Sequence, residues 1–370
     1  MSVRVRPELR HEVAEFGGGD IDACMNCGNC TAECPLSRDG TVFPRKIIRY
    51  LQLGLEDRLR ESPEPWLCYY CGECSQTCPR EANPGETMMA ARRWLTSQYD
   101  WTGISKRFYV SKAWEVGLTL AVALFVVALF VLFHGPVVPD RVELNTFAPV
   151  KWVEYGDWTM AAILSFLLLT NAWRMHRFVM RGARVRPSAY LAELGTFLTH
   201  GLTQKRWREC GGPSLRWLKH FLLVTGYSTM LILIMVFLRW FQTDGWNWTS
   251  LLGYYATAVL LYVTGDAIIG RLRKREELHR HSHPTDWMFL ILLFLTSLTG
   301  ILVHLFRMGG LPMSTYVIYV IHLAVAVPML VVEVPFGKWA HLLYRPLAIY
   351  LVAVRRRAEE TVTEVATATS

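Results

Sequence analysis

The apolar residues of this chain divide it into a mixed first third and a strongly apolar remainder. Beyond residue 105 the apolar runs are long, and each has about the 20 residues that a helix needs to cross the hydrocarbon core of a bilayer. As a helix, the run GLTLAVALFVVALFVLF would be apolar on every side. Helices of soluble proteins usually have a polar face as well. The pattern predicts six membrane-spanning helices, at residues 116–133, 158–178, 221–241, 249–270, 286–306 and 314–337.

The first 105 residues have helical rather than strand-like periodicity. In the segment IIRYLQLGL, which starts at Ile47, apolar side chains recur at helical spacing and no alternation of period two appears. We therefore predict an all-α fold for the whole chain. Its expected parts are a helical cytoplasmic domain at residues 1–105, a six-helix membrane domain at 106–350 and a cytoplasmic tail at 351–370.

The distribution of lysine and arginine predicts which side of the membrane each connection faces. The connection 171–219 carries ten of these residues, 271–280 carries five and the segment beyond residue 341 carries four, whereas the alternate connections carry one or two each. Positively charged loops stay in the cytoplasm. We expect a multi-pass protein of the cytoplasmic (inner) membrane with both termini in the cytoplasm. The stretch MSVRVRPELRHEVAEF lacks the apolar core of a signal peptide, which agrees with that orientation.

Eight of the nine cysteines form two copies of one motif. CMNCGNCTAECP begins at Cys24 and CYYCGECSQTCP begins at Cys68, and both follow the pattern C-x2-C-x2-C-x3-C-P of bacterial two-cluster ferredoxins. Thiols stay reduced in the cytoplasm, so metal ligation explains these cysteines better than disulfides do. Two [4Fe–4S] clusters are predicted, and zinc is the alternative. The ninth cysteine, Cys210, is interpreted as a reduced thiol in a loop.

The ligands of the two clusters are predicted to cross over between the runs. In two-cluster ferredoxins the last cysteine of each run binds the cluster of the other run. The first cluster is therefore assigned to Cys24, Cys27, Cys30 and Cys78. The second cluster is assigned to Cys68, Cys71, Cys74 and Cys34.

Four histidines lie at two depths of the predicted membrane domain. His220 and His341 are expected at the cytoplasmic level, and His304 and His322 towards the opposite side. Two haems b stacked across a membrane need such pairs, because each iron takes two axial imidazoles at one level. The alternative is that these histidines are interfacial side chains bonded to carbonyl groups. Glu333, also within a span, is either a proton carrier for a quinone or a structural group that is paired or protonated.

Segments in both halves of the chain resemble known families. The last span, IHLAVAVPMLVVEVPFGKWAHLLYRP, resembles the final helix of the cytochrome b subunit of respiratory nitrate reductases, which implies that His322 and His341 bind two different haems b. In KHFLLVTGYSTM, His220 matches the first of that family's two histidines on an earlier helix. Met230 stands where the second would be, and His304 is the substitute suggested by depth. The N-terminal third, including QLGLEDRLRESPEPWLCYYCGECSQTCP, resembles the small ferredoxin subunit of heterodisulfide reductases.

The fusion of these two modules resembles the membrane C subunits of quinone-interacting membrane-bound oxidoreductase (Qmo) complexes. The resemblance implies flavin and iron–sulfur partner subunits, a connection to adenylylsulfate reductase in dissimilatory sulfur metabolism, and a membrane quinone such as menaquinone as substrate. The chain would then be an electron-transfer subunit, with the substrate chemistry on its partners. Nucleic acid is not an expected partner, because most of the formal net charge of +8 flanks apolar segments.

Two further interpretations stay open beside this one. The chain is a subunit of another heterodisulfide-reductase-like dehydrogenase complex that uses a different electron donor, or it is a haem-free membrane anchor for a ferredoxin domain. If the chain is only an anchor, replacing His220 and His341 should leave quinone-linked electron transfer almost unchanged.

Overall fold

The computed structural model describes residues 4–39, 41–205, 214–243 and 245–368, and in these ranges it contains helices but no strand. The predicted all-α fold is confirmed. Cys210, interpreted above as a loop thiol, lies outside the described residues.

Short helices surround the two cysteine runs. In chain order they are α1 (Leu9–Glu15), α2 (Asn29–Glu33), α3 (Arg45–Gln52), α4 (Glu56–Arg60), α5 (Glu64–Leu67), α6 (Glu73–Gln76), α7 (Pro84–Tyr99) and α8 (Ile104–Val110). A 3₁₀ turn at Pro35–Asp39 follows the first run.

Longer helices dominate the rest of the chain. They are α9 (Lys112–Phe133), α10 (Leu144–Phe147), α11 (Val150–Val179), α12 (Pro187–Ala192), α13 (Leu194–Thr203), α14 (Ser214–Phe241), α15 (Trp248–Leu272), α16 (Glu277–Arg280), α17 (Pro284–Met308), α18 (Pro312–Pro328), α19 (Val334–Phe336) and α20 (His341–Ala368). A π-helical segment at Met329–Glu333 and a 3₁₀ turn at Lys338–Ala340 lie on either side of α19.

Five of the six predicted spans are present as helices that are long and apolar enough to cross a membrane. They are α9, α14 from Leu215, α15, α17 and the combined segment Pro312–Phe336. Large apolar side chains such as Leu124 and Phe125 of α9 are exposed. Extended exposed apolar surface of this kind suits lipid rather than water. The length and composition of these helices indicate a membrane protein.

The remaining predicted span, residues 158–178, lies within α11. This helix has 30 residues and exposes Phe166 and Leu169, but Asn171 and Arg174 also lie in it. It is not among the five helices selected by length and composition. The six-span count, and the orientation that depends on it, therefore stay predictions.

The last predicted span, at residues 314–337, matches the observed segment Pro312–Phe336, and the chain leaves the helical conformation just beyond it. The π-helical segment follows Pro328, and Gly337 leaves the helical conformation with φ −103° and ψ −154°. His341, expected to close this span, instead begins α20. Pro328 and Pro335 favour such a break, because neither can donate the backbone hydrogen bond that a continuous α-helix requires.

One hydrophobic core joins the N-terminal helices to α11 and α20. Tyr99 of α7 and Tyr344 of α20 are both fully buried, and their ring centroids are 5.3 Å apart. Met175 of α11 and Leu351 of α20 belong to the same cluster. The segment expected as a tail beyond residue 351 is thus helical up to Ala368, and its first turn lies in this core. The boundaries drawn from the sequence stay predictions.

Candidate iron–sulfur and haem sites

The two cysteine runs fold into the same local structure. Gly28 and Gly72 have positive φ angles of 94° and 92°, and they directly precede α2 and α6 respectively. Glycine adopts this conformation without the steric cost that other residues incur. Asn26 and Tyr70, two positions earlier, also have positive φ angles, of 58° and 55°. The repeat in the sequence is therefore also a repeat in backbone geometry.

The structure places Cys34 with the second run. Cys34, Cys68, Cys71 and Cys74 line one cavity, together with apolar side chains such as Met88. The pKa of the Cys34 thiol is raised to about 12, mainly by burial and in addition by Cys68 and Cys71. Four cysteines around one cavity form the type of ligand set that holds a [4Fe–4S] cluster.

The first run is grouped with Cys78. Burial and then the neighbouring Cys24 raise the pKa of the Cys30 thiol to about 11, and Cys27 and Cys78 add to the shift. The other three cysteines assigned to the first cluster therefore lie within electrostatic reach of Cys30. Within the described residues, no group of three or more His, Cys, Asp or Glu side chains is arranged to hold a single metal ion.

Comparison with known proteins agrees with this arrangement. Residues 20–82 match the family described as a 4Fe-4S dicluster domain. A protein from Archaeoglobus profundus, described as similar to the C subunit of heterodisulfide reductase, is 39% identical over 104 residues, which are 27% of this chain and 55% of that protein. The N-terminal region is a 4Fe–4S ferredoxin domain of the kind found in heterodisulfide reductase C subunits. We refer to it below as the dicluster domain.

A second relative extends the match slightly further. The iron–sulfur C subunit of the CoB–CoM heterodisulfide reductase of Methanopyrus kandleri is 34% identical over 125 residues, which are 34% of this chain and 55% of that protein. The chain therefore spans about half the length of these curated relatives. No solved structure matches it.

The two cysteine sets differ in their exposure. Cys27 of the first set is exposed, whereas Cys68 of the second set is buried. The backbone carbonyl of Cys68 accepts hydrogen bonds from two arginines, Arg92 of α7 and Arg345 of α20. Cys30 of the first set is buried as well, so the sets differ in the exposed Cys27 and in the positive charge that the second set receives from both α7 and α20.

Arg345 ties the second cysteine set to α20. Its Nη2 atom donates to the Cys68 carbonyl at 2.7 Å and its Nε atom donates to the Trp66 carbonyl at 3.3 Å. The guanidinium carbon lies 4.7 Å from the centroid of the Tyr69 ring. His341 precedes Arg345 by four residues, so the two side chains lie on one face of α20.

His341 has the features of a metal-ligating histidine. Its Nδ1 atom donates to the Lys338 carbonyl at 2.6 Å, which fixes the ring and leaves Nε2 as the ligand atom. Burial, followed by the charge of Arg345, lowers the pKa of His341 to about 3, and the His220 ring contributes as well. The imidazole is then neutral at pH 7, which is the form that binds a metal. The structure thus brings His220 and His341 close enough to interact.

The packing of α14 against the start of α20 explains this proximity. Tyr227 of α14 lies 5.6 Å from Trp339 between ring centroids. Leu223 and Leu342 pack against the same hydrophobic cluster. The predicted inner pair therefore occupies neighbouring elements at one end of the bundle, and its residues fit the ligation of a haem b.

The predicted outer pair is less closely matched. His322 of α18 bonds through Nδ1 to the Thr299 hydroxyl at 3.0 Å, and a Cβ atom on Gly300 of α17 would lie 3.2 Å from its ring. His304 lies one turn beyond Gly300 but bonds through Nε2 to the Tyr254 hydroxyl of α15 at 2.7 Å. His322 thus keeps Nε2 for a ligand, whereas His304 uses that atom in a hydrogen bond.

Glu333 lies in the π-helical segment and is fully buried. Its Oε2 atom accepts a hydrogen bond from the Lys338 backbone N–H at 3.1 Å. Sequence reasoning singled out this residue but missed Arg345 and Glu115, which is 2% exposed in the first turn of α9. Two signals in the sequence could have identified them. Arg345 follows His341 at the i to i+4 spacing of one helix face, and Glu115 is an acidic residue at the start of an apolar run.

Proposed function

We propose that this chain is the membrane-bound electron relay of an oxidoreductase complex, which passes electrons between soluble partner subunits and a quinone pool. One observation carries the proposal: Arg345 binds the Cys68 carbonyl in the second cysteine set and lies one helical turn from His341. A [4Fe–4S] cluster and a haem b at these two places would carry single electrons. The chain supplies the spacing between them and the charges that tune them.

The exposure of the cysteine sets supports the order of the relay. Cys27 is exposed, so the first cluster faces the partner subunits, whereas the buried Cys68 faces the membrane bundle. We assign the inner haem b to His220 and His341, and the outer haem b to His322 with His304. Ligation by His304 through Nε2 requires its hydrogen bond with the Tyr254 hydroxyl to break. Glu333 is proposed as a proton carrier for the quinone.

The partners follow from resemblance and from the names of the relatives. The matched proteins are named as C subunits of heterodisulfide reductases or as similar to them, and such subunits are parts of multi-subunit complexes. Flavin and iron–sulfur subunits of a Qmo-like complex, a connection to adenylylsulfate reductase in sulfur metabolism, and menaquinone are the partners and substrate that we propose. We also propose that α11 is the sixth span, which places both termini in the cytoplasm.

The first test counts haem b and iron in the purified protein. We expect two haems and, besides the haem iron, about eight non-haem irons per chain, since each [4Fe–4S] cluster contains four irons. One haem would remove His304 from the assignment and keep His220 with His341. Iron without haem would make the bundle an anchor and overturn the quinone relay. A pull-down that recovers flavoproteins unrelated to sulfur metabolism would favour a different heterodisulfide-reductase-like complex.

A further inference from the structure

Two buried carboxyl groups meet at the junction between the membrane bundle and the dicluster domain. Glu333 is 0% exposed and Glu115 is 2% exposed. In each, the Oε1 atom is buried and has no hydrogen-bond partner in the described part of the chain. Helix α9, which carries Glu115, packs against the π-helical segment that carries Glu333, and the charge of Glu115 acts on Glu333. Two buried carboxylates that interact in this way are costly to keep charged together, because burial and mutual repulsion both oppose it.

The backbone around Glu333 is shaped for this side chain. A π-helical segment ends at Glu333. Such segments are rare in proteins, and where they occur they are often found at functional sites. A Cβ atom on Gly337 would overlap Oε2 of Glu333, so a side chain at this position would displace the carboxyl group. The hydroxyl of Tyr109 donates to the Gly337 carbonyl at 2.8 Å and holds this turn in place.

The carboxyl groups in this region outnumber the cations that pair with them. Asp286 of α17 holds both nearby cations, Lys338 at 2.5 Å and Arg93 at 3.6 Å. Glu115, Glu333 and Asp286 therefore exceed these two cations by one negative charge. Because Asp286 takes both cations, neither of them is left to pair with Glu115 or Glu333, and this favours a proton on one of the two carboxyl groups.

Other ionisable groups lie around the pair. Arg271 adds a positive charge that acts on Asp286, and Glu86 carries only part of a negative charge at pH 7, because burial raises its pKa to about 7. His283 is neutral at pH 7, since burial followed by the charge of Arg93 lowers its pKa to about 3. Tyr109 is buried and burial raises its pKa, so it is neutral too. Lys112, which acts on Glu115, is exposed to solvent.

We propose that Glu115 and Glu333 form a redox-linked proton site, which holds one proton at rest and takes up a second when an electron arrives at the carriers beside it. The link is short. Oε2 of Glu333 accepts from the Lys338 N–H, and the carbonyl of Lys338 accepts from Nδ1 of His341. A negative charge added near His341 makes the remaining carboxylate less favourable, so that carboxylate takes one proton from water on the cytoplasmic side. When the electron leaves, the same proton returns to water.

The inference rests on the proposed relay, and it gives Glu333 a partner and a role that needs no quinone beside it. The test is a redox titration of the inner haem in the full-length protein between pH 6 and pH 8. A one-electron couple that takes up one proton shifts by about 59 mV for each tenfold change in proton concentration. We expect a slope approaching this value in the wild type, and a flat profile in Glu333→Gln and in Glu115→Gln.

A matched control is Glu56→Gln. Glu56 is also buried, but its two carboxylate oxygens are paired with Arg6 at 2.7 Å and Arg60 at 2.5 Å in the dicluster domain. This variant should keep the wild-type slope. Infrared difference spectra of oxidised and reduced protein supply a second readout: a carboxylic C=O band should appear on reduction and disappear in Glu115→Gln.

The outcomes separate the inference from the function on which it rests. Protein that contains haem, has a pH-independent potential and lacks the infrared band overturns the proton site and leaves the relay intact. A slope that survives both Gln substitutions, or that follows sodium rather than pH, also overturns it. If one variant fails to assemble, the other, on a different helix, still decides. Protein without haem refutes the proposed relay itself, and the infrared band on reduction of the clusters then decides the proton site.

Discussion

Replacing Arg345 with Met should lower the reduction potential of the second cluster and leave that of the first unchanged. Arg345 is 9% exposed and its guanidinium group donates to the carbonyls of Cys68 and Trp66. Met has a similar length and no charge, so the substitution removes the positive charge and both hydrogen bonds while filling most of the space. A reduced cluster carries one more negative charge than an oxidised one, and a nearby cation stabilises it.

The size of the effect follows from Coulomb's law. At an effective dielectric constant of about 20, a unit charge at about 4 to 8 Å contributes about 4 to 2 kcal/mol. Since a tenfold change in an equilibrium constant corresponds to about 59 mV for one electron, the expected decrease is on the order of 100 mV. The carbonyl of Cys68 keeps its bond from Arg92, whereas that of Trp66 loses the bond from Arg345. An orphaned buried carbonyl costs about 1 to 3 kcal/mol of stability.

An EPR-monitored redox titration measures this effect, with the first cluster as internal reference. Arg345→Lys separates the effect of charge from that of geometry. It retains the positive charge but lacks the planar guanidinium group that donates to two carbonyls at once. Arg355→Met is a matched control on the same helix, since Arg355 caps the Val179 carbonyl at 3.1 Å. An unchanged second-cluster potential in Arg345→Met, or an equal shift in Arg355→Met, would refute the reasoning.

Three further predictions concern the ligands and one buried carboxyl group. Cys78→Ser should remove the EPR signal of the first-run cluster, whereas loss of only the second-run cluster would contradict the crossover. His341→Ala should remove one haem b from the absorption spectrum and keep the non-haem iron content, and an unchanged haem content would disprove the pairing with His220. Glu86 is buried, and burial raises its pKa from 4.5 to about 7. The native state therefore binds more protons than the unfolded state in this window, so stability falls as pH rises from 4.5 to 7, by about 3 kcal/mol at most. Thermal unfolding of Glu86→Gln should lose this pH dependence, and an identical profile would exclude Glu86 as its source.

The cysteine sites were the part most accessible from the sequence. The spacing of each run, with Gly28 and Gly72 at corresponding positions, requires a particular turn, and both glycines have the positive φ that such a turn needs. Local spacing also located five of the six apolar helices. These features depend on neighbouring residues, which is why a single sequence contains them.

Features that depend on distant contacts were not accessible in this way. Arg345 binds the carbonyl of Cys68 from 277 positions away, and nothing local to either residue predicts that contact. The predicted last span ends at Gly337, where the helix breaks, but the π-helical segment Met329–Glu333 before it has no signal in the apolar pattern. In α11, Asn171 is fully buried and Arg174 donates to the Gln98 carbonyl, so polar residues within the predicted span serve the contact with the dicluster domain.

The segment from Glu333 to Arg345 argues against a passive anchor. Within it lie a buried carboxyl group with one unbonded oxygen, a neutral histidine and a buried arginine that reaches a cysteine ligand. Each of these costs free energy to bury, and an apolar helix would hold a ferredoxin domain on a membrane more stably. An anchor gains nothing from this arrangement, whereas a relay needs a fixed path from the second cluster to His341. The cost of burying these groups therefore favours the proposed relay over a haem-free anchor.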